Sequence, residues 1–200
     1  MMDNIQIVLF FENQVVFNQN KIASDINEKL SYLGNAIVLP VNHEDPTAPI
    51  VLFTENKDIN ITINAFNVAI IFSEKDLKKY KDCPTEIINI FDKESIAFSR
   101  IGLIITRYLE KTNAKKLKAR IFKEEEIIDS EDFNVGWFNA ISIDGTKVNC
   151  WERYFLDENK KIISIFDINT PHNEKYFVND EFVENYISQC IKYIDNKIKK

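Results

Sequence analysis

One run of residues near the middle of the chain, 96–108, constrains the fold more than any other stretch. It is the longest run rich in β-branched and aromatic residues, which predicts a long central strand. The elements predicted before it and after it follow a similar order: a strand, a helix, several antiparallel strands and a long helix. This repetition predicts an internal duplication.

We therefore predict an α+β fold built from two tandem strand–helix–antiparallel-strands–helix units, residues 1–94 and 95–200, which share one core. A long helix is expected to cover the antiparallel sheet of each unit, as in duplicated TBP-like or helix-grip folds. The last helix is expected to begin at Asn179 or Asp180, because Phe182, Tyr186 and Cys190 then recur at a helical spacing.

Composition narrows the class of protein. The chain is 45% hydrophobic and 28% charged, which is typical of a soluble globular protein. No run reaches the ~18 apolar residues that cross a bilayer, and the N-terminus lacks the pattern of a secretory signal. The three cysteines form no C-x-x-C pair, which is typical of reduced thiols. We expect a cytoplasmic protein with no membrane partner.

The charge of the chain limits its partners. The net charge is −6 and the isoelectric point is about 5.1, which opposes unspecific binding to duplex nucleic acid. Nucleic acid is therefore disfavoured as a partner, although a local basic patch is still allowed. A predicted basic helix over 113–122 precedes an acidic loop over 124–132. These segments are interpreted as a solvated face or as a charged docking surface.

A predicted hairpin sets the register of the last three strands. Asp144-Gly145 is the best short turn signal, because a type I′ turn needs positive φ at both positions, and it sets Trp137 opposite Glu152. A four-residue turn over 157–160 would then set Cys150 opposite Asp167.

This register predicts a polar cluster on one face of the sheet, formed by Asn139, Cys150, Glu152 and Asp167. Two carboxylates on an otherwise apolar face can have raised pKa values and act as an acid/base pair or a cation site. The more frequent arrangement is that such groups lie at the rim of the sheet and bond to backbone or solvent.

The opposite face is predicted to carry a row of aromatic residues, Phe138, Trp151 and Phe166, beside Lys147 and Arg153. Sheet-based RNA-binding proteins stack bases on such rows. The same row would form where a sheet packs against a second layer or a partner protein, and this interpretation is favoured.

Motifs for metals and nucleotides are missing from the sequence. His43 and His172 lie in proline-containing loops, and with Cys83 or Asp45 they have no metal-ligand spacing. Four scattered glycines cannot form a phosphate-binding loop or a nucleophile elbow. We expect no catalytic residue, no metal and no cofactor.

Two segments carry a resemblance to a known family. Phe98–Leu103 with Thr106-Arg107-Tyr108 matches an Arg-x-Gly-x-Arg-Tyr-like strand, and Ile165–Asn169 matches an apolar-Asp-apolar-Asp strand ahead of the last helix. In these features the chain resembles a sporadically distributed family of bacterial proteins whose function is not established. Ile104–Thr106 departs from the family spacing. The resemblance implies a patchy distribution typical of mobile or defence-linked genes, and no known chemistry.

Three functions are consistent with the sequence. The first is a non-enzymatic interaction protein that acts through a protein–protein surface, as a phage-defence or anti-defence (anti-CRISPR-like) component. It would bind a protein partner, and a homodimer is also consistent with the sequence. The alternative is a single-stranded nucleic-acid or nucleotide binder that uses the aromatic sheet face. A second alternative is a small hydrolase that uses Glu152 and Asp167.

Overall fold

The computed structural model describes residues 3–109, 119, 134–159 and 161–199. The predicted basic helix (apart from Ala119) and the predicted acidic loop lie outside these residues. Within them, the strands and helices follow one another along the chain in this order: β1 (Asn4–Phe11), α1 (Gln19–Lys29), β2 (Ala36–Val38), β3 (Val51–Phe53), β4 (Ile59–Ile63), β5 (Asn67–Ser73), α2 (Leu77–Tyr80), α3 (Cys83–Lys93), β6 (Phe98–Tyr108), β7 (Asn134–Ile143), β8 (Thr146–Leu156), β9 (Ile162–Asn169) and α4 (Asp180–Lys199).

All nine of these strands belong to one sheet in the order β2-β3-β4-β5-β1-β6-β9-β8-β7, and each neighbouring pair is antiparallel. The predicted central strand is confirmed as β6, which pairs with β1 on one side and β9 on the other. This strand therefore joins the two halves of the chain.

The prediction of two tandem units, each with a long helix over its own sheet, is wrong. The fold is α+β, but the described strands form a single antiparallel sheet and most of the helices are short. Part of the reason lies in residues 74–93, where Pro84 occupies the first turn of α3 and a new helix begins. The first half therefore has the short helices α2 and α3 instead of one long helix. The predicted boundary at 94/95 falls in the turn before β6 and stays a prediction.

One face of the sheet is buried beneath the helices. Alternate residues of the strands, such as Ile7 in β1, Ile70 in β5 and Leu103 in β6, are fully buried and oppose one another across the strands. Side chains from α1, α3 and α4, among them Ile26 and Ile194, belong to the same apolar cluster. We call this side of the sheet the helix-side face.

Arg107 links β6 to the last helix. Its guanidinium donates to both carboxylate oxygens of Glu74 and, at 2.6 Å, to Oδ1 of Asp195 in α4. Such charge-assisted, partly buried bonds are among the stronger polar contacts in proteins. In this fold, the second arginine of the family-like strand has a structural role.

Candidate functional site

The other side of the sheet, which we call the open face, carries a groove. Three rows of side chains cross the strands there, and the register of the strand pairs defines them. The middle row is the floor, and it consists of Val8, Gly102, Asn169 and Asn149. One wall consists of Phe10 and Arg100, and the opposite wall consists of Ile104, Asp167, Trp151 and Phe138. The groove also reaches Thr170 and His172, and its volume is about 350 Å³.

Two large aromatic side chains stand exposed at one end of the groove. Phe138 is 48% exposed and Trp151 is 55% exposed, and their ring centroids are 5.2 Å apart. The two residues are opposite each other on β7 and β8, because the Asp144-Gly145 turn has the predicted positive φ angles and sets the predicted register. An exposed aromatic pair of this kind can stack on a planar ligand.

Arg100 supplies a cation on the opposite wall. Its guanidinium lies 4.7 Å from the centroid of the Phe10 ring, and its Nε donates to the carbonyl oxygen of Thr170 at 3.3 Å. Burial lowers the pKa of Arg100, which nevertheless stays charged at neutral pH. Within the described part of the chain, Arg100 forms no ion pair, so its terminal nitrogens are available to a ligand.

Asp167 supplies the carboxylate of the groove. Its Oδ1 accepts a hydrogen bond from Nδ2 of Asn169, and it forms no ion pair with any described residue. Asn169 lies across Gly102, where an added Cβ would overlap Oδ1 of the amide. A glycine in the middle of a strand is explained by this close approach, and it allows the amide to hold Asp167 in place.

We expect Asp167→Asn to raise the free energy of unfolding at pH 7. Burial raises the pKa of Asp167, and the bond from Asn169 only partly offsets this effect. A carboxyl group whose pKa is higher in the folded than in the unfolded state costs stability above the folded pKa, and the cost is absent below the unfolded pKa. Urea titrations should therefore show that the variant has the higher free energy of unfolding at pH 7. The variant and the wild type should be equally stable at pH ~3, which is below the pKa of aspartate in the unfolded chain.

The exposed Glu28→Gln removes the same charge and serves as the control for net charge. A wild-type protein that is more stable than Asp167→Asn at pH 7 would contradict the burial of an unpaired carboxylate here.

The second turn differs from its prediction by one residue. Asp157 Oδ1 accepts from the backbone N–H groups of Asn159 and Lys161, and the Asp157 N–H donates to the carbonyl of Lys161. These bonds keep Lys161 in the turn, so Trp151 opposes Asp167 and Glu152 opposes Phe166. A shift of one residue moves every side chain of a strand to the other face.

The shift corrects both predicted groups. Phe166 is fully buried on the helix-side face and is not part of an aromatic row with Phe138 and Trp151. Asp167 lies on the open face, whereas Glu152 lies on the helix-side face. The predicted carboxylate pair therefore does not form.

Glu152 belongs to a buried ion pair instead. Its carboxylate is fully buried, and Oε1 accepts from Nζ of Lys197 at 2.9 Å and from the Tyr193 hydroxyl at 3.1 Å. Cys150 and the half-buried Asn139 are on the same face. Burial raises the pKa of the Cys150 thiol to about 12, so it is not a thiolate at neutral pH.

The two histidines do not come together. His172 lines the open-face groove, whereas His43 and Asp45 line a separate cavity beside residues 14–17. Cys83 is buried in the core. Among the described residues no cluster of histidine, cysteine and carboxylate side chains could hold a metal ion.

The open face has a different charge from the rest of the protein. The charged side chains on its described strands are three cations and one carboxylate, namely Arg100, Lys147, Arg153 and Asp167. Lys147 lies 3.7 Å from Glu174, and the exposed Arg153 has no ion pair with a described residue. The described strands therefore give this face a net positive charge, although the chain as a whole is acidic.

Comparison with known proteins does not assign the chain to a family. No protein-family model matches the chain, and no curated protein matches it either. The resemblance to a sporadically distributed bacterial family therefore stays a prediction. None of the described helices is both long enough and apolar enough to span a bilayer.

Sequence reasoning missed the half of the groove that comes from distant strands. Phe10, Arg100 and Asn169 reach the site only through the pairing of β6 with β1 and β9. Two signals were present: a glycine inside an apolar strand at Gly102, and a charge at Arg100 in that same strand.

Proposed function

We propose that the protein is a non-enzymatic binding protein that binds single-stranded nucleic acid on the open face of its sheet. The observation that supports this most is the exposed pair of Phe138 and Trp151 on one wall of the groove, with Arg100 on the opposite wall and Arg153 on the same face of the sheet. Bases stack on aromatic side chains whatever their sequence, and arginines contact the phosphates between them.

The polar groups in the groove favour nucleic acid over an apolar protein surface. A protein that covered the groove with apolar side chains would leave Arg100 and Asp167 buried without partners, which is costly. A nucleobase offers a flat face to Trp151 and hydrogen-bonding atoms at its edges. It therefore satisfies both kinds of group at once.

The net charge of −6 affects both the expected affinity for nucleic acid and the expected preference for single strands over duplexes. Repulsion from the rest of the protein opposes binding to a rigid duplex, which would bring its phosphates close to carboxylates around the face. A single strand can follow the groove and place a few phosphates near the cations. We expect moderate affinity and a clear preference for single strands.

Fluorescence anisotropy with labelled 12-nucleotide RNA and DNA of mixed sequence tests the proposal. Binding should be measurable at low salt, and it should weaken with a slope of about −2 in log K against log salt, since two or three phosphates are neutralised. The same sequences as duplexes should bind more weakly. No binding at 20 mM salt, or equal binding to duplexes, would contradict the proposal.

A protein partner on this face, in phage defence or elsewhere, stays a prediction from the sequence. It would be favoured if single strands did not bind and a co-purified protein were displaced by changes at Trp151. The hydrolase alternative is not proposed, because its two carboxylates lie on opposite faces of the sheet.

A further inference from the structure

The two walls of the groove differ in their hydrogen-bonding character. Arg100 presents donors from one wall, whereas Asp167 presents acceptors from the other. The floor between them carries the amides of Asn149 and Asn169, which are directly opposite each other on β8 and β9. A ligand that lies across the floor therefore meets donors on one side and acceptors on the other.

We propose that this groove selects guanine among the four bases, an inference that rests on the proposed binding of single strands. Guanine has two acceptors, O6 and N7, on one edge and two neighbouring donors, N1–H and N2–H, on the next. The guanidinium of Arg100 matches O6 and N7, a common specific pairing of arginine with guanine. The carboxylate of Asp167 can accept from the two neighbouring donors, because an ionised carboxylate has acceptor sites on both oxygens.

The other bases match only part of this arrangement. Adenine and cytosine each present an exocyclic amino group as the only donor on their pairing edge, and uracil presents a single ring N–H. None of them has two neighbouring donors for Asp167. Binding any of them would leave part of the carboxylate or the guanidinium without a partner, and unpaired polar groups in a site are strongly selective against the wrong ligand.

Both side chains are set for this role. Asn169 donates a hydrogen bond to Oδ1 of Asp167, and this bond fixes the orientation of the whole carboxylate, including its second oxygen. Arg100 is held by the Phe10 ring and by the carbonyl oxygen of Thr170. The groove volume of about 350 Å³ lies at the lower end of the range for small-ligand pockets, which suits one base rather than a longer stretch.

Competition anisotropy with the wild-type protein tests the inference without any variant. A labelled 12-nucleotide strand is displaced by oligothymidine strands that carry one central guanine, adenine, cytosine or inosine. The guanine strand should compete about tenfold better than the adenine or cytosine strands. Inosine lacks the N2 amino group and should lose a large part of that advantage.

Two variants separate base selection from general binding. Asp167→Asn should reduce the ratio of the guanine to the adenine affinity severalfold, with the remaining preference coming from the pairing of Arg100 with O6 and N7. Arg153 is a cation on the same face outside the groove. Arg153→Gln should therefore weaken the binding of all strands equally and keep the preference for guanine. A wild-type protein that binds all four strands equally would overturn this inference and leave the proposed function intact. An absence of binding to any strand would overturn both.

Discussion

Replacing Phe138 and Trp151 together by alanine is expected to remove the binding of single-stranded nucleic acid. Stacking on an aromatic side chain contributes ~1–3 kcal/mol per base, so the loss of both rings should weaken binding by roughly a hundredfold or more. Each single variant should lose about tenfold. Because both rings are about half exposed, the fold should tolerate the change. Anisotropy titrations, with circular dichroism to check folding, give the result.

Phe177→Ala is the matched control. This ring is 83% exposed, lies between β9 and α4, and is not one of the residues that line the groove. The control should bind as the wild type does, because it removes an exposed aromatic side chain without touching the site. If the double variant kept the wild-type affinity, the aromatic pair would not be the binding surface.

Removing the partner of a buried carboxylate is expected to give the largest loss of stability. Lys197→Ala leaves the fully buried carboxylate of Glu152 without its cation, and among the described side chains the Tyr193 hydroxyl still donates to Oε1. Breaking a buried ion pair by removing one member costs ~3–5 kcal/mol, and the partial exposure of Lys197 places the expected loss at the lower end, about 3 kcal/mol. Urea denaturation measures this as a lower free energy of unfolding.

A second substitution distinguishes an unpaired charge from lost packing. Glu152→Gln in the Lys197→Ala background removes the charge and keeps the shape, so most of the lost stability should return. Lys192→Ala, at an exposed position of the same helix, should leave stability unchanged. If Glu152→Gln restored nothing, the cost would come from packing, and the ion pair would not be the reason for the burial of Glu152.

Local turn chemistry explains which parts of the site could be predicted. Asp144-Gly145 has one favourable conformation, so the pairing of Phe138 with Trp151 followed from the sequence and is confirmed. The turn at 157–161 depends on one side chain, Asp157, which accepts two backbone bonds and adds a residue to the turn. That single residue exchanged Phe166 for Asp167 on the open face.

The remaining half of the site could not be predicted, because it depends on pairing between distant strands. A long run of β-branched and aromatic residues identified β6 as a central strand, but nothing in its residues shows that β1 and β9 are its neighbours. Arg100 and Asn169 become part of one groove only after those pairs are known. The same limit explains the wrong prediction of two tandem units, since a similar order of elements in two halves does not specify how the strands join.

The fluorescence of Trp151 provides the most direct test of the open face as a binding surface. The chain has two tryptophans, and Trp137→Phe leaves Trp151 as the only one while keeping a ring beside Tyr154. Titration with a single-stranded oligonucleotide should quench this fluorescence and saturate at the concentrations at which anisotropy reports binding, because a stacked base lies against the indole. Binding that leaves the emission of Trp151 unchanged would contradict a ligand on the open face.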